Sequence, residues 1–497
     1  MATASTIPTT STTRLGLAFL FLTIVTIVLY PFGELSLFVA EFKLYVLSGS
    51  LLIALVFYTL WRKEGIGEGI KSHSYSMYLL PAYVGWASLS IIWSTNRSAT
   101  MSGLLKLWFL FLFAYAVNRA FYQFPREHFA KAVFLGPLLA LIVGSSVIYY
   151  KLVFVYGLDR LDELFASEQV ASGNPAFSTY VFTVFIDFPL GNSQNIILSL
   201  FVSWLGLAIA VYYTFPLFKK AYSFLLFSLF YSLPVFYLGI SKSAFVGLAL
   251  LLGLFVLVGI LFKNKSLLKI VALLLLAHLL FVLINPWHVR EAALARFGFS
   301  AVSYELAKER IDDQPVKEDG KQDFEKQAQG REKDFQVNGQ EDGQDNKARE
   351  QTIDKPSPEK PAERPTDNSV TARLSLLKVA WAKFKERPIF GNGYRGLEQE
   401  YLSLGKDKNT NPHNIYLQIL AELGLIGFII FVSFFLFLAA EIVIRKNQQF
   451  YLYLAVIASY LARGLVELQF SELDIWLILL VLVVVLEQEG GAQWRQG

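Results

Sequence analysis

The sequence predicts an all-α integral membrane protein with about twelve transmembrane helices and one large extracytoplasmic loop between the ninth and tenth. Three observations predict it. The 497 residues are 54% hydrophobic and only 17% charged, whereas soluble domains lie near 45–50% apolar and about 25% charged. The apolar residues gather into runs about as long as the ~20 residues that cross a bilayer core. Lys and Arg collect in alternate loops, the asymmetry that orients membrane proteins. The composition excludes an ordinary soluble protein, and 15% aromatic residues exclude a chain that is disordered throughout. With no cysteine there is no disulfide framework, thiolate metal site or Cys nucleophile.

The candidate spans are 15–32, 44–61, 75–93, 101–118, 130–150, 195–215, 222–240, 244–262, 267–285, 424–444, 450–467 and 472–487. The segment Met1–Arg14 is Ser/Thr-rich, and Leu15–Tyr30 is too long for a signal-peptide core and has no clear cleavage site, so it is read as a retained first helix. One set of loops holds Arg14, Arg62, Lys63, Lys71, Arg119, Arg126, Lys131, Lys219, Lys220, Lys263, Lys265, Arg445 and Lys446. The alternate set holds only Lys43, Arg97, Lys151, Arg160 and Lys242. Both termini are therefore expected in the cytoplasm.

Two segments on the opposite face are long. Residues 151–194 carry Tyr180, Phe182, Phe185 and Phe188 and are expected to lie along the interface. The second divides the chain into 1–285, a loop 286–412, and 413–497. Within the loop, 303–369 holds 12 Lys+Arg against 18 Asp+Glu, a net −6, and its composition cannot bury a core. The remaining 430 residues carry a net +10. Residues 370–412 read as helical at first, with Leu374, Leu377, Trp381 and Phe384 at helical spacing, until Pro388 and Gly391-Asn392-Gly393 interrupt.

No P-loop, HExxH, dinucleotide fingerprint or EF-hand loop is present in the sequence. Topology sorts the five histidines: His73 and His128 fall on the cytoplasmic side, His278 inside a span, and His288 and His413 on the opposite face. By itself His413, after Asn411-Pro412, is either an interfacial cap for the following helix or a functional group. Glu422 follows nine residues later, half a turn out of phase on a helix, so the two do not form a dyad. Gly424 and Gly427 are a turn apart, a spacing that lets helices approach closely.

The pattern His413-Asn414, nine residues, Gly424, two residues, Gly427 resembles the signature of the O-antigen ligase family, shared by bacterial protein O-oligosaccharyltransferases and, more loosely, polymerases. Gly239-Ile240-Ser241-Lys242-Ser243-Ala244, Arg373 eight residues before Trp381, and Arg387-Pro388-Ile389-Phe390-Gly391-Asn392-Gly393 are also similar to the family. The resemblance implies a glycosyltransferase with a helical membrane fold like that of other lipid-linked glycosyltransferases. It implies transfer of a glycan from undecaprenyl diphosphate, on the periplasmic face of the bacterial inner membrane, to lipid A–core, another glycan or a protein, with no metal or other cofactor.

On that reading His413 is the base for the acceptor hydroxyl, since an imidazole titrates near the working pH. Lys242, Arg373 and Arg395 are candidates for the diphosphate, whose charge grows as it leaves. Lys242 stands where the family usually has Arg, and a Lys lacks the fork that holds two phosphate oxygens. It also reads as a snorkelling interfacial lysine, and Arg373 as a surface residue. Asn414, Arg463 and Glu467 are supporting candidates; Arg463 and Glu467, four apart, read first as a structural helix pair. Expected partners are the lipid-linked donor, the acceptor and membrane lipid, with no nucleic acid. A transporter or flippase would call for broken helices in matched halves, which the sequence does not display.

Overall fold

A computed structural model describes residues 10–32, 34–37, 40–62, 76–161, 180–186, 194–286, 290, 369–403, 412–445, 447–465 and 472–493. The helices are α1 (Thr10–Leu29), α2 (Leu44–Arg62), α3 (Ser76–Leu89), α4 (Arg97–Gln123), α5 (Arg126–Tyr150), α6 (Gln194–Thr214), α7 (Tyr222–Gly239), α8 (Lys242–Leu261), α9 (Lys265–Ile284), α10 (Ser369–Glu386), α11 (Glu398–Ser403), α12 (Ile415–Arg445), α13 (Gln448–Arg463) and α14 (Leu473–Gln493). Among the described residues seven helices are long and apolar enough to cross a membrane, and four shorter apolar helices lie at 14–29, 45–61, 78–92 and 473–486. One hairpin departs from the all-helical expectation: β1 (Glu34–Leu37) pairs antiparallel with β2 (Ala40–Lys43), with Glu34 opposite Lys43. Between α1 and α2, strand pairing satisfies the backbone groups of these eight residues.

The bundle is packed from pairs. α1 lies on α2 and α5, α5 on α6 and α7, α8 on α6 and α13, α3 on α12, and α14 on α4 and α13. The helices differ in how deep they sit. α6 is buried along nearly its whole length and α14 from Leu473 to Leu486, whereas α9 keeps Leu275, Leu276, Leu279, Leu280 and Leu283 exposed. An apolar helix that exposes leucines is at home only against lipid.

Two corrections concern the segment after α5. The helix continues through a π-helical stretch, Lys151–Tyr156, which ends at Gly157 with φ 98°. Tyr180 and Phe185 do not lie on a surface: both are fully buried, and the Tyr180 hydroxyl donates to the Leu238 carbonyl at 2.8 Å. Phe185 and Leu198 close over Gly239 so tightly that a Cβ there would meet Leu198 Cδ1 at 2.3 Å. The expectation of disorder for 303–369 falls outside the described residues, as do Glu467 and the side chains of Phe182 and Phe188.

One end of the bundle is rich in polar contacts. There the C-terminal ends of α1 and α13 meet the N-terminal ends of α6, α8, α12 and α14. The Tyr30 hydroxyl donates to Glu472 and accepts from the Leu473 amide at 2.8 Å, and Lys106 reaches the other Glu472 oxygen at 3.4 Å.

Candidate functional site

The site is organised around a break in α12. Gly424 has φ 68° and ψ −170°, so the helix stops at Leu423 and restarts at Leu425. That backbone conformation is essentially restricted to glycine. The break frees the carbonyls of Ala421 and Glu422 and the amides of Leu425 and Ile426, and buried backbone groups need partners. The loop after α10 supplies all four. The amides of Asn392 and Gly393 donate to the carbonyls of Ala421 and Glu422 at 3.0 and 2.8 Å, and the carbonyls of Pro388 and Ile389 accept from Leu425 and Ile426 at 2.8 and 3.4 Å. The Leu423 carbonyl accepts from the Trp86 indole at 3.0 Å.

This docking needs two glycines face to face. A Cβ on Gly391, itself at φ 72°, would sit 2.3 Å from the Glu422 oxygen, and one on Gly424 2.2 Å from the Ile389 oxygen. Gly424 therefore does not serve helix approach, as its spacing from Gly427 suggested. At Gly427 a Cβ would fall 2.4 Å from Leu423 Cβ across the break and 3.1 Å from the Trp86 ring. Asn392 locks the joint by donating through Nδ2 to the Lys383 and Ala421 carbonyls at 3.0 and 2.9 Å. On the other side, Thr95 binds the Asn392 and Gly396 carbonyls and Ser90 accepts from the Tyr394 amide.

Glu422 is buried beside the break. Its two oxygens accept from the Arg395 amide at 2.8 Å and from Gln418 Nε2 at 3.1 Å. This carboxylate bolts the loop to α12 rather than working with His413. Glu422→Ala would orphan the buried Arg395 amide, at a cost of about 1–3 kcal/mol. A fall in thermal midpoint of the purified protein, with the helical content kept, checks this; an unchanged midpoint would mean that water replaces the carboxylate.

His413 precedes α12 with φ 53°, a left-handed conformation uncommon for a non-glycine residue. Its neighbours fix it there. Asn414 caps α12 by accepting from the Leu417 amide at 2.9 Å, and donates through Nδ2 to the Leu465 carbonyl at 3.1 Å. The Ile415 amide donates to the Gly464 carbonyl at 2.8 Å, and the Tyr416 hydroxyl to the Leu461 carbonyl at 2.7 Å. The last carbonyls of α13, which lack helical partners, thus receive the first turn of α12.

Inside that clasp lies Arg463, fully buried. Its guanidinium donates to the Ser199 carbonyl, to Ser203 Oγ at 2.6 Å and to the Ser459 carbonyl at 3.3 Å, and stands over the Tyr460 ring. Asp474, also buried, lies near enough to interact electrostatically with it. So Arg463 couples α6, α13 and α14; its expected partner Glu467 lies outside the described residues. Gly247 makes room for its stem, a Cβ there falling 2.2 Å from Arg463 Cδ.

Lys242 is exposed at the first position of α8. Ile240, at φ 44°, turns the chain sharply, and Ser241 caps the helix through the Ala244 amide at 3.4 Å and touches Ser243 at 3.1 Å. Lys242 is five residues from Gly247, so it stands about 7.5 Å along the helix from the Arg463 contact. Arg373 is half-buried on α10. Leu376, Ala380, Leu397, Tyr401 and Ala421 form one apolar cluster with Leu417 packed on it, and Asn392 ties Lys383 to Ala421. This register runs α10 alongside the first turns of α12 and carries Arg373 to the level of His413. Lys383 bridges Glu386 and Glu400 at 3.1 and 2.9 Å, and Glu400 above all holds its ammonium above the ordinary value. Arg395, at φ 57°, is engaged by Glu398 at 3.3 Å and packs its stem under Gly103.

All these motifs fall in one matched segment. The family model described as O-Antigen ligase matches residues 227–432. That match spans less than half of the chain. No curated relative matches the chain. The likeness supports a membrane-embedded enzyme of the glycan ligase and polymerase type. The matched segment includes Lys242, Arg373, Arg395, His413, Asn414, Gly424 and Gly427; Arg463 lies beyond it and is joined to it through the clasp. Sequence reasoning missed Trp86, Asn392 and Glu472 as partners. Glu472 and Asp474, acidic residues opening a strongly apolar run, were the available signal.

Proposed function

We propose that the protein is an outer-face glycosyltransferase that moves a glycan from undecaprenyl diphosphate to an acceptor hydroxyl, with ligation to lipid A–core as the reaction. The carrying observation is that the segment matching the O-antigen ligase family holds His413 in a fixed left-handed turn at the level of Arg373. In the reaction His413 takes the proton of the acceptor hydroxyl. The acceptor oxygen bonds to the anomeric carbon as the bond from that carbon to the diphosphate oxygen breaks. The departing diphosphate gains negative charge, which Lys242 and Arg373 offset. Arg395 is less available, because Glu398 already takes part of its charge. The clasp of Asn414, Tyr416 and the α13 carbonyls supports this reading, since a base must be held within hydrogen-bond reach of its proton.

The test supplies purified protein with a lipid-diphosphate glycan and competing acceptors: lipid A–core, a second lipid-linked glycan and a Ser/Thr peptide. Glycan on lipid A–core is the expected product; a longer lipid-linked glycan or a glycopeptide would replace the acceptor and keep the donor chemistry. In the same assay Lys242→Arg should keep activity, and Lys242→Ala should lose about 10–100-fold, the value of one charge-assisted contact to phosphate. Equal activity of Lys242→Ala and the wild type would reduce Lys242 to an interfacial anchor.

A further inference from the structure

Beside the loop that braces α12 lies an open groove of about 480 Å³, lined by Trp93, Arg387, Pro388, Ile389, Phe390 and Gly391. Its floor is aromatic: Trp93 packs edge-on to Phe390, and both contact Trp86. Its lining is exposed and apolar at Ile389 (54%) and Phe390 (51%), and Ile92, the chain neighbour of Trp93, is 66% accessible. Two cations lie at the Ile92–Trp93 turn, Arg387 of the lining and Arg97 beside it. Arg387 NH1 donates to the Trp93 carbonyl at 3.0 Å, and Arg97 NH2 to the Ile92 carbonyl at 3.4 Å. The two guanidiniums therefore rest on consecutive carbonyls of one turn. Among the described residues neither forms an ion pair, and the adjacent Glu386 is taken by Lys383. Each Arg has five N–H donors, and only one side-chain donor of each is used on protein in these contacts.

We propose that this groove binds an anionic glycerophospholipid of the surrounding leaflet, with no cationic headgroup to oppose the arginines, Arg97 and Arg387 on its phosphate and an acyl chain along Ile389, Phe390 and Ile92. The charge decides the occupant. An apolar rim alone would suit any lipid tail, but two unsatisfied guanidiniums beside it match a phosphate with its lipid chain in place. Trp93 at the same level suits the aromatic belt of a membrane interface. The site is distinct from the His413 end of α12, since His413 precedes the break at Gly424 by eleven residues. Its consequence is structural: the loop 387–393 that the lipid covers is the one that satisfies the broken helix, so an occupied groove stabilises that joint.

The experiment uses the full-length protein in phosphatidylcholine nanodiscs doped with a diazirine-tailed phosphatidic acid. Crosslinks should fall on the peptides containing Trp93 and Ile389–Phe390. They should drop about tenfold in Arg97→Gln, and further when Arg387→Gln is added, each step being of the size of one charge-assisted contact. Excess phosphatidylglycerol should compete, while phosphatidylcholine and inorganic phosphate should not. Arg97→Gln alone keeps the test decisive if the Arg387 variant misfolds, because Arg97 is exposed and its single side-chain contact is long. Undiminished labelling in Arg97→Gln, equal labelling by a diazirine phosphatidylcholine, or competition by inorganic phosphate would each overturn the proposal.

Discussion

His413→Asn is expected to lower glycan transfer by about 10²–10⁴-fold, the span associated with losing a general base, while membrane insertion and thermal stability stay close to wild type. Asn is the better probe because the residue sits at φ 53°, a region Asn tolerates. In His413→Ala the left-handed backbone itself costs roughly 1–2 kcal/mol, so a loss of activity there would mix chemistry with strain. The measurement is single-turnover transfer to lipid A–core. Full activity of His413→Asn would make His413 a cap and nothing more.

Gly424→Ala is expected to have the largest structural effect. Its methyl would fall 2.2 Å from the Ile389 carbonyl oxygen, and Gly424 is at φ 68°, ψ −170°. Neither the loop nor α12 can retreat without breaking the four backbone hydrogen bonds that join them. Destabilisation above about 4 kcal/mol is rare and marks this kind of steric failure. The purified variant should melt well below wild type, and the Leu425 and Ile426 amides should exchange faster with solvent. Gly253→Ala, inside α8, is the control: nothing lies within 4 Å of a Cβ there. Similar behaviour of the two variants would show that the joint is not where the strain is concentrated.

The helices themselves were legible because each apolar run is self-sufficient: in lipid a backbone segment satisfies its own polar groups by coiling. Each of the twelve expected runs coincides for most of its length with a helix. The break in α12 was half legible. The span expected to begin at residue 424 starts where Gly424 interrupts the helix, but the helical turns Ile415–Leu423 before the break lay outside the expected span. The hairpin Glu34–Leu37/Ala40–Lys43 was not legible, since two strands of four residues leave no periodicity to read.

The motifs were legible as residues but not as partners. Gly391, Asn392 and Gly393 stood in the sequence as a helix stop, and Gly424 as a small residue for helix contact. Only the tertiary structure shows that one group supplies the backbone partners that the other group leaves open, across thirty residues. Arg463 was read with its neighbour four residues on, because helical spacing is the only proximity a sequence displays. Its contacts with Ser199, Ser203 and Asp474 cross between helices and had no such signal.

By itself, then, the sequence determined that the chain is a helical membrane protein and which motifs carry its family likeness, since hydropathy and local spacing act over a single element. Which groups meet was decided by tertiary structure: Glu422 with the Arg395 amide, Arg373 level with His413, two arginines on adjacent carbonyls. Those pairings depend on the packing of separate helices, where burial forces every freed donor and acceptor to find a partner from elsewhere in the chain.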